Sequence, residues 1–161
     1  MSLRSLVLVT PLVAGLALVQ QGLVAAAQTA DSQPVIQRAD DSGLQWAPCP
    51  AVFPKGCEVT VLQGDPAAGR SDVFLRSPAN YTFPPHKHTS PERIVLVSGE
   101  MEMTYAGKAP VVVSAGGYTF VPGSMPHAAR CLAKGPCVMF IAFQSPIDAE
   151  AAELTGGSGQ Q

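Results

Sequence analysis

The chain has 161 residues, with 10 Lys and Arg against 12 Asp and Glu, a formal charge of -2 and a pI near 5.8. A nucleic-acid module usually carries a basic stripe and a high pI, whereas the cations here are scattered singly between Arg4 and Lys134, which excludes nucleic acid as a partner. The 15 Gly and 15 Pro interrupt helical windows, arguing against a helix bundle or a doubly wound α/β fold and for a small domain of short strands.

At the N-terminus Arg4 precedes an uncharged run, Leu6 to Val19, and Ala25, Ala26 and Ala27 supply the small residues that a signal peptidase reads. The run contains Pro11 and Gly15 and falls short of the roughly 20 residues needed to span a bilayer. Residues 1–27 therefore read as a cleaved export signal, leaving a periplasmic or secreted chain with no stable membrane association. Residues 28–44 are polar and aperiodic and read as a flexible linker or arm. The ordered domain is expected over 45–146. Residues 147–161 read as a flexible tail that opens with a helical turn at Ile147 to Leu154. In an oxidising compartment the four cysteines are expected to pair, and sequence proximity favours Cys49 with Cys57 and Cys131 with Cys137.

Within the domain, short apolar runs alternate with turn signals, predicting strands at Cys57 to Gln63, Asp72 to Arg76, Arg93 to Val97, Glu100 to Tyr105, Pro110 to Val113, Tyr118 to Val121 and Cys137 to Phe143. Glu100, Glu102 and Thr104 alternate with Met101, Met103 and Tyr105, so this strand has one wet and one packed face. Met101, Met103, Tyr118 and Phe120 read as core lining. The fold class is all-β, a single small antiparallel β-barrel.

The chemistry is concentrated in two segments. Pro84 to Glu92 places His86, His88 and Glu92 at even offsets, so that an extended chain turns them to one face. Two imidazoles and a carboxylate form a set suited to non-haem Fe(II) and related divalent ions. The third histidine, His127, closes the Pro and Gly turn Pro122 to Pro126, and the chain has no others. Phosphate-binding glycine loops and the GxSxG nucleophile elbow are missing.

His86, His88, Glu92 and Gly99 resemble the first motif of the cupin superfamily, and Gly116, Pro122 and His127 resemble the second. The resemblance covers about Asp72 to Phe143, and resembles small exported single-domain cupins in particular. Three positions depart from the pattern: Asn80 and Ser124 stand where glycines are expected, and Cys131 where an asparagine is expected. The resemblance implies a jelly-roll or double-stranded β-helix barrel in which His86, His88, Glu92 and His127 hold one divalent metal. Fe2+ or Mn2+ is expected first, Ni2+, Cu2+ or Zn2+ next. It implies a small organic substrate or ligand, and pairing of two copies into a homodimer. The leading expectation is an oxidoreductase of dioxygenase type. A non-catalytic small-ligand or metal-binding cupin, or a metal-dependent isomerase or lyase, are the alternatives. The sequence singles out no acid or base from Tyr105, Tyr118, Glu100 and Glu102.

Overall fold

The computed structural model describes residues 34–155. The export signal read at 1–27, the first part of the arm and residues 156–161 lie outside them. The described chain forms eleven strands and no helix: β1 (Ala47–Pro48), β2 (Glu58–Gly64), β3 (Ser71–Ser77), β4 (Thr82–Lys87), β5 (Glu92–Ser98), β6 (Glu100–Tyr105), β7 (Val111–Ser114), β8 (Tyr118–Val121), β9 (His127–Cys131), β10 (Cys137–Phe143) and β11 (Glu150–Ala151). They form two sheets, ordered β1-β2-β3-β10-β5-β8 and β11-β4-β9-β6-β7, with every pairing antiparallel. The expected all-β jelly roll is therefore present as two sheets whose end strands stay unpaired with one another, rather than as one closed ring of hydrogen bonds.

The period of two explains what lies between the sheets. On β10, Cys137, Met139, Ile141 and Phe143 are buried and alternate with half-buried neighbours. Ile94 and Leu96 on β5 and Met101 and Met103 on β6 do the same. The pattern fails on β8. Tyr118 is 60% exposed and Phe120 46%, while Val121 is buried. Register supplies the reason: Val121 lies opposite inward-facing Glu92, so Phe120 lies opposite Arg93 and shares its outward face, with the guanidinium 5.6 Å from the ring centroid.

Two predicted features came out differently. β4 and β9 are strands that composition hides, because β4 contains Pro84-Pro85 and β9 reads His-Ala-Ala-Arg-Cys. The prolines sit in a bulge: β4 has one more residue than β9 between the pairs Phe83 with Ala129 and His86 with His127, which is where residues lacking an N–H are tolerated. In place of a helical turn, the segment after Pro146 is extended. Ile147 N–H donates to Pro66 O at 2.8 Å, and β11 pairs with β4, Ala151 opposite His86.

Both disulfides pair sequence neighbours, Cys49 with Cys57 and Cys131 with Cys137. Cys131 ends β9 in one sheet and Cys137 begins β10 in the other, so this bond staples the sheets together. It lies about 13 Å along β9 from His127, at a rise of about 3.3 Å per residue. Replacing both Cys131 and Cys137 by Ala is expected to lower unfolding free energy by about 2 kcal/mol in the loop-entropy picture, read from urea denaturation; an unchanged midpoint would contradict the staple.

Asn80 and Ser124 are the two non-glycine residues with positive φ among the described residues, at 64° and 63°. Asn adopts this region readily, whereas Ser pays a steric penalty there. Ser124→Gly is expected to raise stability by about 0.5 kcal/mol, relieving that penalty but losing part of the gain to the greater freedom of unfolded glycine. A lower urea midpoint for the variant would show that the Ser124 side chain is needed.

Candidate metal centre

His86 lies near the end of β4, His88 just beyond it, Glu92 starts β5 and His127 starts β9. Strand register brings His86 directly opposite His127, with ring centroids 4.2 Å apart. Glu92 arrives from the other sheet, where it lies between Phe143 and Val121. Two backbone contacts hold the approach to His127 against the loop after β4. Ser124 N–H donates to His88 O at 2.7 Å, and a Cβ built on Gly123 would meet Thr89 O at 2.6 Å, so the close approach requires glycine.

All four side chains are buried. Each imidazole is turned by a backbone carbonyl: His86 Nδ1 donates to Pro84 O at 2.7 Å, His127 Nδ1 to Met125 O at 3.0 Å, and His88 Nδ1 to Asp148 O. A carbonyl only accepts, so Nδ1 carries the proton of the neutral ring and Nε2 presents a lone pair to the centre. Burial, with the neighbouring His127 second, lowers the His86 pKa to about 4, which keeps that ring neutral at physiological pH. Burial pushes the Glu92 pKa up, while hydrogen bonding from and positive charge on the facing imidazoles, His127 foremost, pull it below its usual value; with neutral rings that compensation falls to a cation.

The Glu92 oxygens lie 3.5 Å from His88 Nε2 and 3.2 Å from His127 Nε2. In the tautomer that these carbonyls select, a neutral ring has no hydrogen on Nε2 to give, and Glu92 Oε2 is a buried oxygen without a hydrogen-bond donor. An ionised carboxylate facing three lone pairs, all out of water, calls for a cation among them. His86, His88 and His127 offer nitrogen atoms that all lie within 4.8 Å of one another, close enough to hold one metal ion. The donor set, neutral imidazoles with one carboxylate, fits a divalent first-row metal.

The four donors open into a cavity of about 360 Å³. Phe53 lies at its edge, on the loop that the Cys49–Cys57 disulfide closes, and packs edge-on against His86 and Phe83 at 4.7 and 5.6 Å between centroids. Met103 lines the cavity, but Tyr105, Tyr118, Glu100 and Glu102 do not. Glu100 pairs with Lys134, Glu102 with Arg130, and Tyr105 hydrogen-bonds Thr119.

Sequence reasoning missed the support supplied by the C-terminal segment. Asp148 accepts from His88 through its carbonyl and from Thr89 N–H and Oγ1–H through its carboxylate, while Ile147 and Ala149 line the cavity. Ser90, fully buried, accepts from the amides of Gln144 and Ser145 and so ties the His88 to Glu92 loop to the end of β10. No periodicity or motif marks either residue. Asp148→Ala is expected to cost about 1 kcal/mol of stability, and Asp148→Asn less, because the amide oxygen can still accept one of the Thr89 bonds. Equal losses in urea denaturation would show that charge rather than hydrogen bonding holds the loop.

A two-sheet jelly roll with three inward histidines and one glutamate gathered at the ends of its strands has the architecture of the cupin superfamily. Residues 35–146 match the family described as the ChrR cupin-like domain, and the chain belongs to that family. Comparison with curated proteins finds no match. Among solved structures the fold resembles the DMSP lyase DddQ from Ruegeria pomeroyi DSS-3, at 19% identity and a TM-score of 0.58 over 78% of this chain and 75% of that one. A cupin-2 domain protein from Rhodospirillum rubrum gives 14% identity and a TM-score of 0.60, over 75% and 83%. A variant of oxalate decarboxylase from Bacillus subtilis gives 17% and 0.50, over 65% and 28%. At these identities the likeness is one of fold, and a shared fold does not carry a shared activity.

Proposed function

We propose that this is an exported cupin that holds one divalent metal through His86, His88, Glu92 and His127 and acts as an oxidoreductase of dioxygenase type on a small organic substrate. The observation that carries the reading is the buried Glu92 carboxylate facing three outward-fixed Nδ1–H imidazoles at the end of an apolar cavity. Fe2+ or Mn2+ is proposed as the resident ion, with Ni2+, Cu2+ and Zn2+ next. Such a metal, when bound, supplies Lewis acidity and, for the redox-active ions, electrons.

The protein's share is positioning and exclusion of water. The carbonyls of Pro84, Asp148 and Met125 fix the ring tautomers, an arrangement that raises ligand basicity and holds ring orientation. The apolar walls keep bulk water and stray protons from the reacting end. Isomerisation or elimination requires a group placed to move a proton at carbon. Among the described residues that line the cavity, the titratable ones are the four proposed ligands themselves. That favours a reaction in which both atoms of O2 enter the organic molecule, since it needs neither a separate reductant nor a dedicated protein base. The two disulfides support export, because such bonds persist in oxidising compartments.

Protein purified from its export compartment is expected to carry about one equivalent of metal, and His88→Ala to lose most of it, by analogy with the 10- to 100-fold loss that even outer-shell changes cause. Oxygen uptake with a panel of enediols, diketones and phenols, with both labelled oxygen atoms recovered in the product, would support the dioxygenase reading. Retained metal without uptake for any compound would replace it with the binding-protein reading.

A further inference from the structure

The cavity is unusual in what its walls omit. Apart from His86, His88, Glu92 and His127, every lining residue is aliphatic, phenylalanine, methionine or proline. The exposed lining residues Pro48, Pro50 and Val61 make the mouth apolar as well. The walls therefore offer no lysine, arginine, hydroxyl or amide side chain to a second polar end of a bound molecule. Many of the wall positions belong to β3, β5 and β10, whose backbone amides are engaged in the ladders of the six-stranded sheet.

Charge narrows the choice further. Three neutral imidazoles and one carboxylate around a divalent ion leave a net charge of +1. A head of charge -1 neutralises it, whereas any additional charge would lie against hydrocarbon without a partner. Size sets the other bound. An apolar cavity of about 150 Å³ takes benzene, so 360 Å³ accommodates about a dozen heavy atoms.

Resting on the metal reading above, we propose that the cavity selects a singly charged, oxygen-chelating head joined to an apolar body, and rejects dicarboxylates, sugars and zwitterions of the same size. The selecting residues are those of the wall, Val73, Leu75, Ile141 and Phe143 among them, with Phe53 and Ala149 toward the disulfide-closed loop and the C-terminal segment.

Three hydroxamates with one head and different bodies test the proposal by calorimetric titration of the metal-loaded protein. Hexanohydroxamate exceeds acetohydroxamate by four methylenes, each worth about fourfold in affinity, so it is expected to bind on the order of 100-fold tighter. Adipic acid monohydroxamate has the same reach but ends in a carboxylate, and is expected to bind no tighter than acetohydroxamate. Ala149→Phe should remove most of the gain of hexanohydroxamate while its metal content, measured separately, stays at the wild-type level. Equal affinities for the three compounds, or an adipic derivative as tight as hexanohydroxamate, would overturn the proposal with the metal reading left standing. Loss of metal from the wild type would instead overturn the metal reading. The apolar selection is then measured on the metal-free protein by saturation-transfer NMR, with 1-hexanol expected to bind over 1,6-hexanediol and Ala149→Phe to abolish its signal. Absence of a hexanol signal, or equal signals from the two alcohols, would overturn the selection itself.

Discussion

A carboxylate buried at the seam between two sheets is the constraint on which the structure of this site depends. Glu92 is held by β5 in the six-stranded sheet, and the imidazoles that face it come from β4, from His88 just beyond it, and from β9 in the other. An ionised group so placed is expensive unless a positive partner is supplied, and the imidazole protons are spent on carbonyls. The fold thus leaves an electrostatic demand at its centre that a divalent cation would meet. Such a cation would act as a second tie between the sheets, complementing the Cys131–Cys137 disulfide at the other end of β9.

The elements around the site read as devices for aiming three rings at that carboxylate. The Pro84-Pro85 bulge shifts the register of β4 by one residue and brings His86 opposite His127. Its first carbonyl then orients His86, and its second accepts Ala152 N–H from the C-terminal segment. The left-handed Ser124 and the close-packed Gly123 dock the turn before His127 onto the loop that carries His88. Asp148 also holds that loop, through His88 Nδ1 and through Thr89. Strain at Ser124 and a broken ladder at the prolines are tolerated because they fall where the ring geometry is set, a common feature of functional sites.

Much of this was legible from the residues. β6, β8 and β10 begin and end where alternation and turn signals place them, and the spacing of His86, His88 and Glu92 singles out three of the four polar groups, although the single extended segment it assumes is broken by bends at Thr89 and Ser90 and Glu92 enters from the other sheet. The place of His127 beside them depends on the pairing of β4 with β9, which spacing along the chain does not contain; it entered through the family resemblance. Alternation on β8 distinguished two faces but not which one points inward, since that is decided by its partner Glu92. The role of residues 147–151 was hidden because edge pairing and backbone carbonyls, rather than apolar side chains in a periodic pattern, dock them. The non-glycine residues Asn80 and Ser124 depart from the family pattern in identity yet keep the backbone conformation that glycine would supply.

On the proposed reading, the apolar walls and the polar end divide the work of the cavity, one recognising bulk and the other charge. Everything in this division rests on a cation lying among the four side chains. Anomalous diffraction from crystals of the protein tests that most directly. The account predicts a single peak bounded by the Nε2 atoms of His86, His88 and His127 and by the Glu92 carboxylate, at the absorption edge of a first-row transition metal. A protein crystallised without chelators that gives no such peak, or a peak away from these four side chains, would contradict it.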